Sequence, residues 1–360
     1  MSLRDTLRTL GSGRPGDGRH LTAEESYRAF AKVLGGEESD IQVAGFLMAL
    51  RMKGVTVEEL LGGARALRDS ASLPCQGMEG LVCIGSPHDG HDQAPPLEVA
   101  SGLVAAGAGA RVLVIADRCV PPRRGLTAAS VLEHLETGLT YDPREAEDWV
   151  LRTRFAAVGA SGVLPALLGL RKVRGALEVR TPLATIEKLI APPSAALVVG
   201  AERGAVLGTA VEVMQGLGHR RGIAIQGLEG GVVPGVTRRT RGIELAGGHL
   251  TPLSVEPGDF GLADVAEPEL PMFGPPEGED GTGDNKALVA AAGEITATVL
   301  AGDHGPARMA TLMGAAVILK AAGRAMTLAE GVDEATRALD SGAAREVLVR
   351  LRELSSHPPG

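Results

Sequence analysis

Leu81-Val82-Cys83-Ile84, followed by Gly85-Ser86-Pro87-His88-Asp89-Gly90, decides how this chain reads. Four apolar residues make a short buried strand, and the turn after them begins and ends on glycine. A strand, a glycine-flanked turn and a helix together form an anion cradle. Backbone N–H groups point at the ligand, and the helix N-terminus adds a favourable dipole. Pro87 and His88 stand in the middle of this turn. Proline has no N–H to donate, and a histidine side chain fills the space through which backbone would approach a ligand. These residues predict a pocket that does not hold pyrophosphate in the usual manner.

Outward from the turn, strand and helix patterns alternate. Leu97 to Gly107 reads as an Ala/Gly-rich helix, Arg111–Ala116 as a β-branched strand and Thr127 to Glu136 as a helix. Ala195–Val199 and Gly222–Ile225 read as strands, with Ala205 to Leu217 as the helix between them. Such alternation predicts a βαβ-built sheet with both faces covered. Residues 237 to 255 read as a β-rich excursion and 267 to 284 as a mobile loop. Asn285 to Ala301, Ala307 to Ala322 and a last helix near Val332–Leu339 close the chain.

Upstream the pattern is helical. Met1 to His20 is polar and Gly/Arg-rich and reads as a loose arm. Thr22 caps a helix with Glu24 and Glu25 in its first turn, Ser39 or Asp40 caps Ile41–Met52, and Thr56 caps Val57–Arg68. The fold class is therefore α/β: a small all-helical N-terminal domain and a larger α/β domain with a mainly parallel central sheet. The boundaries are 1–70, completed by helices from about 163–190, and 78–350.

At 360 residues the chain can bury a large core, yet aromatics are 2% of it, so Ala, Leu, Val and Ile must fill that core. Cys75, Cys83 and Cys119 have no paired spacing, which argues against a disulfide framework. No apolar run reaches the roughly 18 residues of a membrane span, and no signal-like stretch opens the chain. A cytoplasmic location without membrane contact is the expectation. Nine acids and no Lys or Arg lie between residues 256 and 284; without them the net charge of −8 becomes +1. Global acidity thus leaves room for local anion sites at Arg123-Arg124, Arg171-Lys172 with Arg174, Arg220-Arg221, and Arg238-Arg239 with Arg241.

Two stretches carry a family resemblance: Leu21-Thr22-Ala23-Glu24-Glu25, and Ser39-Asp40-Ile41 through Gly45-Phe46-Leu47-Met48 to Arg51-Met52-Lys53-Gly54. With Ala128–Leu135, Val173–Pro192, Gly305-Pro306-Ala307-Arg308 and Leu328–Gly331, they resemble the anthranilate phosphoribosyltransferase family, part of glycosyltransferase family 3 with the class II nucleoside phosphorylases. The resemblance runs over residues 20 to 350. It implies a Gly-Thr-Gly-Gly-Asp turn for the pyrophosphate of phosphoribosyl pyrophosphate, of which Gly85, Asp89 and Gly90 match. It implies Lys-His-Gly-Asn-Arg-Ser where this chain has Val114 to Cys119, keeping Arg118, and a Ser-Ser-Lys-Ser-Gly loop where it has Pro121-Pro122-Arg123-Arg124-Gly125. An acidic magnesium pair falls at Val232-Val233, and Arg174 matches an arginine facing the anthranilate carboxylate. A side branch of this family keeps the fold, loses these motifs and binds nucleic acid as a homodimer; Val158–Ala160 and Thr185–Pro192 resemble it.

The expected ligand or anion site is Gly85, Ser86, His88, Asp89, Gly90, Arg118, Arg123, Arg124 and Arg174, with no catalytic residue assigned. Arginine suits phosphate and carboxylate through its planar fork; salt bridges to Asp89, Asp117 or Glu133 are the other use for these arginines. His88-Asp89-Gly90-His91-Asp92 has metal-ligating types, but neighbouring loop side chains diverge and no distant ligand matches, so a solvated turn is expected. No cofactor follows, except magnesium if the chain is a transferase. The expected function is a divergent family member binding nucleic acid or another phosphate-bearing anion in the interdomain cleft, as a homodimer through the helical domain. The alternative is an active phosphoribosyl or pentosyl transferase with altered phosphate recognition.

Overall fold

Ser2 begins the first helix, α1 (Leu3–Leu10), by accepting the Asp5 N–H on its hydroxyl while the Asp5 carboxylate accepts the Ser2 N–H. Leu3, Thr6 and Leu10 are buried, and α1 packs on α2 (Ala23–Gly35) and α3 (Asp40–Lys53). Part of the expected loose arm is therefore a capped, anchored helix. The computed structural model describes residues 2–12, 19–121, 125–271 and 286–356, with Ala205 by its backbone alone. Residues 13–18 of the arm lie outside this description.

Thr22, Ser39 and Thr56 cap α2, α3 and α4 (Val57–Asp69) with the same reciprocal bonds, to Glu25, Gln42 and Glu59. These are the expected caps, with Ser39 the one that serves α3. Phe30 of α2 meets Phe46 of α3 edge to face at 5.2 Å, and both rings are fully buried. That pair gives the bundle its large side chains in a chain otherwise poor in aromatics.

The larger region begins with β1 (Leu81–Gly85), α5 (Glu98–Gly107), β2 (Arg111–Ala116), α6 (Ala128–His134), α7 (Pro143–Thr153) and β3 (Phe155–Gly159). After β3, the short α8 (Ala160–Val163) leads to α9 (Ala166–Leu177), α10 (Leu183–Ile186) and a 3-10 turn, Glu187–Leu189. Here the chain returns to the bundle: α9 packs on α2 and α3, while α10 and the 3-10 turn pack on α4. It then re-enters the sheet as β4 (Ala196–Gly200), followed by α11 (Ala205–Gly216), β5 (Arg221–Ile225) and the hairpin β6 (Thr240–Ala246)–β7 (His249–Val255). Four helices finish the described chain: α12 (Lys286–Ala301), α13 (Pro306–Ala321), α14 (Leu328–Asp340) and α15 (Ala343–Ser356).

The sheet has seven strands in the order β3-β2-β1-β4-β5-β6-β7. The first five are parallel, and β6 and β7 join antiparallel. Every residue of β1, β3 and β4 is buried, as expected of strands covered on both faces. The chain leaves β1 in one direction, to β2 and β3, and resumes at β4 on the other side. That reversal makes a switch point between β1 and β4, and the crevice beyond their carboxyl ends is where such sheets take ligands.

Besides α1, four elements depart from the sequence reading: β3 and α7 are additional, α14 begins at Leu328 rather than near Val332, and α15 follows the helix expected to be the last. Of the 267–284 segment, Glu267 accepts the Val236 and Thr237 N–H groups and the Leu270 N–H reaches the Gln93 carbonyl, so residues 267–270 are tied down. Residues 272–285 lie outside the description. Among the described residues, no helix is long and apolar enough to cross a membrane.

Candidate functional site

The turn after β1 is closed rather than solvated. Ser86, His88, Asp89 and His91 are each no more than 3% exposed. The Ser86 N–H reaches the Ile115 carbonyl and the Gly90 N–H the Pro87 carbonyl, so both amides serve the fold itself. The turn is also laced to the segment after β2: Val120 and Gly125 donate to the His88 and Asp89 carbonyls, and His91 exchanges two bonds with Leu126. Gly90 has φ 72°, and a Cβ there would lie 2.3 Å from the Gly125 carbonyl oxygen. Only glycine fits both demands. A Cβ on Gly85 would lie 2.2 Å from the Lys188 carbonyl oxygen, so β1 touches the 3-10 turn directly.

Charged side chains fill the space above this turn. Arg174 of α9 is 6% exposed and forks onto Glu187, with Nη2 donating to Oε1 at 3.1 Å, while its Nε donates to the Pro121 carbonyl at 2.9 Å. His88 Nδ1 lies 3.5 Å from Glu187 Oε2. Burial opposes ionisation of Glu187, but Arg174 and then His88 outweigh it and hold its carboxyl at about 2. Burial likewise works against the Arg174 charge, and Glu187 more than offsets it. Beside this pair Asp89 Oδ2 lies 2.7 Å from Arg180 Nε, and Arg180 extends to Glu202 at 3.3 Å. Ser86 Oγ donates to Glu98 Oε1 at 2.7 Å.

The structure gathers Gly85, Ser86, His88, Asp89, Gly90 and Arg174 in one place. It does not bring the side chain of Arg118 there. That guanidinium turns outward to Glu133, Nε to Oε1 at 2.7 Å, while Arg171 takes the inner position on Asp117 at 3.1 Å. The expectation of a solvated turn fails because His88 and Asp89 each meet a charged partner from the α9–Leu189 segment. Arg123 and Arg124 lie outside the described residues. Sequence reasoning missed Glu187, Lys188 and Arg180 as site residues. The signal for the first two was present: a charged pair inside the apolar run Ile186 to Ala191.

The loop after β5 packs on the same turn. Glu229, at φ 47°, accepts three successive amides on Oε2: Asp92 at 3.1 Å, Gln93 at 2.9 Å and Ala94 at 2.7 Å. It is the one carboxylate of the Gln226–Val233 loop. Val232 and Val233 are buried, and Val233 faces Gly314 of α13. Among the described residues, no three His, Cys, Asp or Glu side chains stand where they could share a metal ion. At the positions the resemblance gives to an acidic magnesium pair, Val232 and Val233 supply no carboxylate, and Glu229, the carboxylate of that loop, is taken up by the Asp92, Gln93 and Ala94 amides.

On the β4 side the crevice is open. A cavity of ≈ 670 Å³ lies between the bundle and the ends of the strands, lined by Arg51, Val55, Arg180, Lys188, Glu202 and Arg203 among others. Arg203 is exposed and forms no side-chain ion pair with the described residues. Lys188 is 8% exposed, and its Nζ donates to the Gly200 carbonyl at 2.7 Å. A second cavity of ≈ 820 Å³, sharing Glu202, is lined by Arg238, Arg239 and Arg241 as well as Glu267 and Glu269.

A helical bundle set against an open, mostly parallel sheet, with a crevice at the β1–β4 switch point, defines a two-part α/β architecture with its ligand-sized opening between bundle and sheet. This chain belongs to the glycosyl transferase family that pairs a helical bundle domain, matched over residues 4–71, with an α/β domain, matched over 92–345. It is 31% identical over 341 residues to the anthranilate phosphoribosyltransferase of Solibacter usitatus, covering 94% of this chain and 96% of that one. Against that of Methanobrevibacter smithii it is 27% identical, covering 94% and 97%. Among solved structures it is similar to anthranilate phosphoribosyltransferase from Thermus thermophilus, with TM-score 0.80, 24% identity and 99% of each chain covered. The Saccharomyces cerevisiae protein in complex with PRPP and Mg follows at 0.77 and 16%, with 98% of each chain. Those two likenesses show the fold.

Proposed function

We propose that this protein is a divergent member of its family that binds a phosphate-bearing polyanion, nucleic acid foremost, on the open β4 side of the crevice. On this reading it does not run efficient magnesium-dependent phosphoribosyl transfer. The observation that carries the reading is the sealed turn: His88 and Asp89 are buried against Glu187 and Arg180, in the place the resemblance gives to pyrophosphate. A phosphate entering there would have to displace Asp89 from Arg180 and crowd the buried Arg174–Glu187 pair, which is unfavourable. Val232-Val233 supports the same reading, because departing pyrophosphate needs charge neutralisation that two buried valines do not supply.

On the open side, Arg51, Arg203 and the Arg238–Arg241 group offer exposed guanidinium groups. Among the described aromatics Tyr141 alone is exposed, at 42%, so base stacking contributes little on this reading and phosphate contacts dominate. Binding should then be strongly salt-dependent and weakly sequence-dependent. Fluorescence anisotropy with a labelled oligonucleotide at low and moderate salt tests this. Binding that weakens steeply with salt supports it; no binding at low salt contradicts it.

A homodimer through the helical domain is part of the proposal. Ile41 (84% exposed) and Met52 (77% exposed) stand eleven residues apart on α3, three helical turns, and so share one face. Leu168 on the neighbouring α9 is also exposed, at 53%. A monomer by sedimentation, unaffected by charge placed at Ile41, contradicts this part.

The second reading is an active transferase. The near full-length match at 31% identity to proteins named as anthranilate phosphoribosyltransferases favours it. Anthranilate consumption dependent on both PRPP and Mg²⁺ would establish it.

A further inference from the structure

Lysine is scarce in this chain: Lys32, Lys53, Lys172, Lys188, Lys286 and Lys320 are all there are. Four of them face carboxylates: Lys32 with Glu37 at 3.6 Å, Lys53 with Glu59 at 2.8 Å, Lys172 with Asp40 at 2.9 Å and Lys320 with Glu244 at 3.1 Å. Lys188 is different. It is nine-tenths buried, no carboxylate of the described residues stands within ion-pair distance, and its one hydrogen bond goes to the Gly200 carbonyl. It nevertheless lines the ≈ 670 Å³ cavity at the switch point, so a small molecule can reach it.

The charged groups around it leave it short of compensation. Burial weighs first against the ammonium and Arg180 adds to that, while Asp89, Glu187 and Glu202 only partly offset them; its pKa is pushed down to about 8. Asp89 and Glu187 are already committed to Arg180 and Arg174. An ordinary lysine carries a neutral fraction of roughly one in a thousand or less at neutral pH, whereas an amine of this kind carries roughly one in ten. Neutral lysines in desolvated pockets are nucleophiles toward carbonyl carbon.

We propose that Lys188 forms an imine with an aldehyde that carries a phosphate, the phosphate resting at the cavity rim against Arg203 and Arg51. The Nζ lone pair attacks the aldehyde carbon to give a carbinolamine. The carbonyl oxygen then leaves as water with both amine hydrogens, and a C=N bond remains. No oxidant, reductant or metal is needed. Among the described residues neither Arg203 nor Arg51 forms a side-chain ion pair, and Arg51 donates to the Arg180 carbonyl. This inference does not depend on nucleic-acid binding; a protein that bound no oligonucleotide would still show it.

The test is to treat the intact protein with pyridoxal 5′-phosphate from pH 7 to 9, reduce with borohydride and map the labelled peptides. Label on Lys188 should exceed that on every other lysine by about tenfold or more, and should rise through pH 8. Pyridoxal without its phosphate should label Lys188 less, and inorganic phosphate should protect it. Lys188→Arg, which keeps a donor toward Gly200, should remove that label and leave the others unchanged. Label spread over exposed Lys32 and Lys172 with none on Lys188 overturns the proposal. Equal labelling by pyridoxal and its phosphate overturns the role of the arginines. Because the map is read on the unmodified chain, neither result depends on a variant folding.

Discussion

The two sides of the switch point use charge in opposite ways. On the β1 side, His88, Asp89, Arg174 and Glu187 are tied to one another or to Arg180, which reaches across to the β4-side cavity. On the β4 side, Lys188 and Arg203 line or rim a cavity shared with Glu202, and among the described residues neither has a carboxylate partner at ion-pair distance. The count of basic residues near a crevice therefore says little about anion binding. A guanidinium buried on a carboxylate is part of the fold, and only the uncommitted cation is available to a ligand. The family resemblance puts phosphate on the first side; the electrostatics favour the second.

The largest effect should come from breaking the closed side. Glu187→Gln leaves Arg174 buried beside a neutral amide, which should cost about 3–5 kcal/mol in denaturant unfolding. A loss under about 1 kcal/mol would mean that water reaches Arg174. The pH dependence has a definite sign. The folded pKa of Glu187 lies below its ordinary value, so its contribution is present above about pH 4.5 and is lost as pH falls through about 2. Urea midpoints of the wild type should fall over that window, and those of Glu187→Gln should fall less.

A smaller, opposite effect belongs to the open side. The folded pKa of Lys188 is depressed, so the unfolded chain binds the extra proton between about pH 8 and 10.5, and stability rises with pH across that window. Lys188→Met should stabilise the protein at neutral pH by about 1–2 kcal/mol, net of the lost bond to Gly200. The gain should shrink as pH approaches 10.5. Destabilisation at pH 7 would contradict the desolvated amine.

The smallest effect on folding should come from Arg203→Ala, within about 0.5 kcal/mol. The same change should weaken oligonucleotide binding and lower the salt slope by about one. An unchanged slope would remove Arg203 from the ligand surface.

Much of the fold could be read because its signals are local. Thr22, Ser39 and Thr56 announce helices through a hydroxyl and a side chain three residues on. Strand β3 could not be read that way. Phe155-Ala156-Ala157-Val158-Gly159 is too short and too alanine-rich to declare a strand, and becomes one by pairing with Val112–Ala116. Helix α1 was missed because the glycines and arginines of residues 11–19 mask a short capped segment ahead of them. At the site, Pro87 and His88 announced an altered turn from sequence. What sealed the turn did not, since His88 meets Glu187 ninety-nine residues away, and only the packing of α9 and the 3-10 turn against β1 reveals that contact.

If the turn after β1 is closed to pyrophosphate, as we propose, calorimetric titration with phosphoribosyl pyrophosphate, with and without Mg²⁺, should show no saturable magnesium-dependent binding and heats unchanged by Asp89→Asn. Saturable binding that needs Mg²⁺ and is lost in Asp89→Asn would contradict it and make the transferase the better reading.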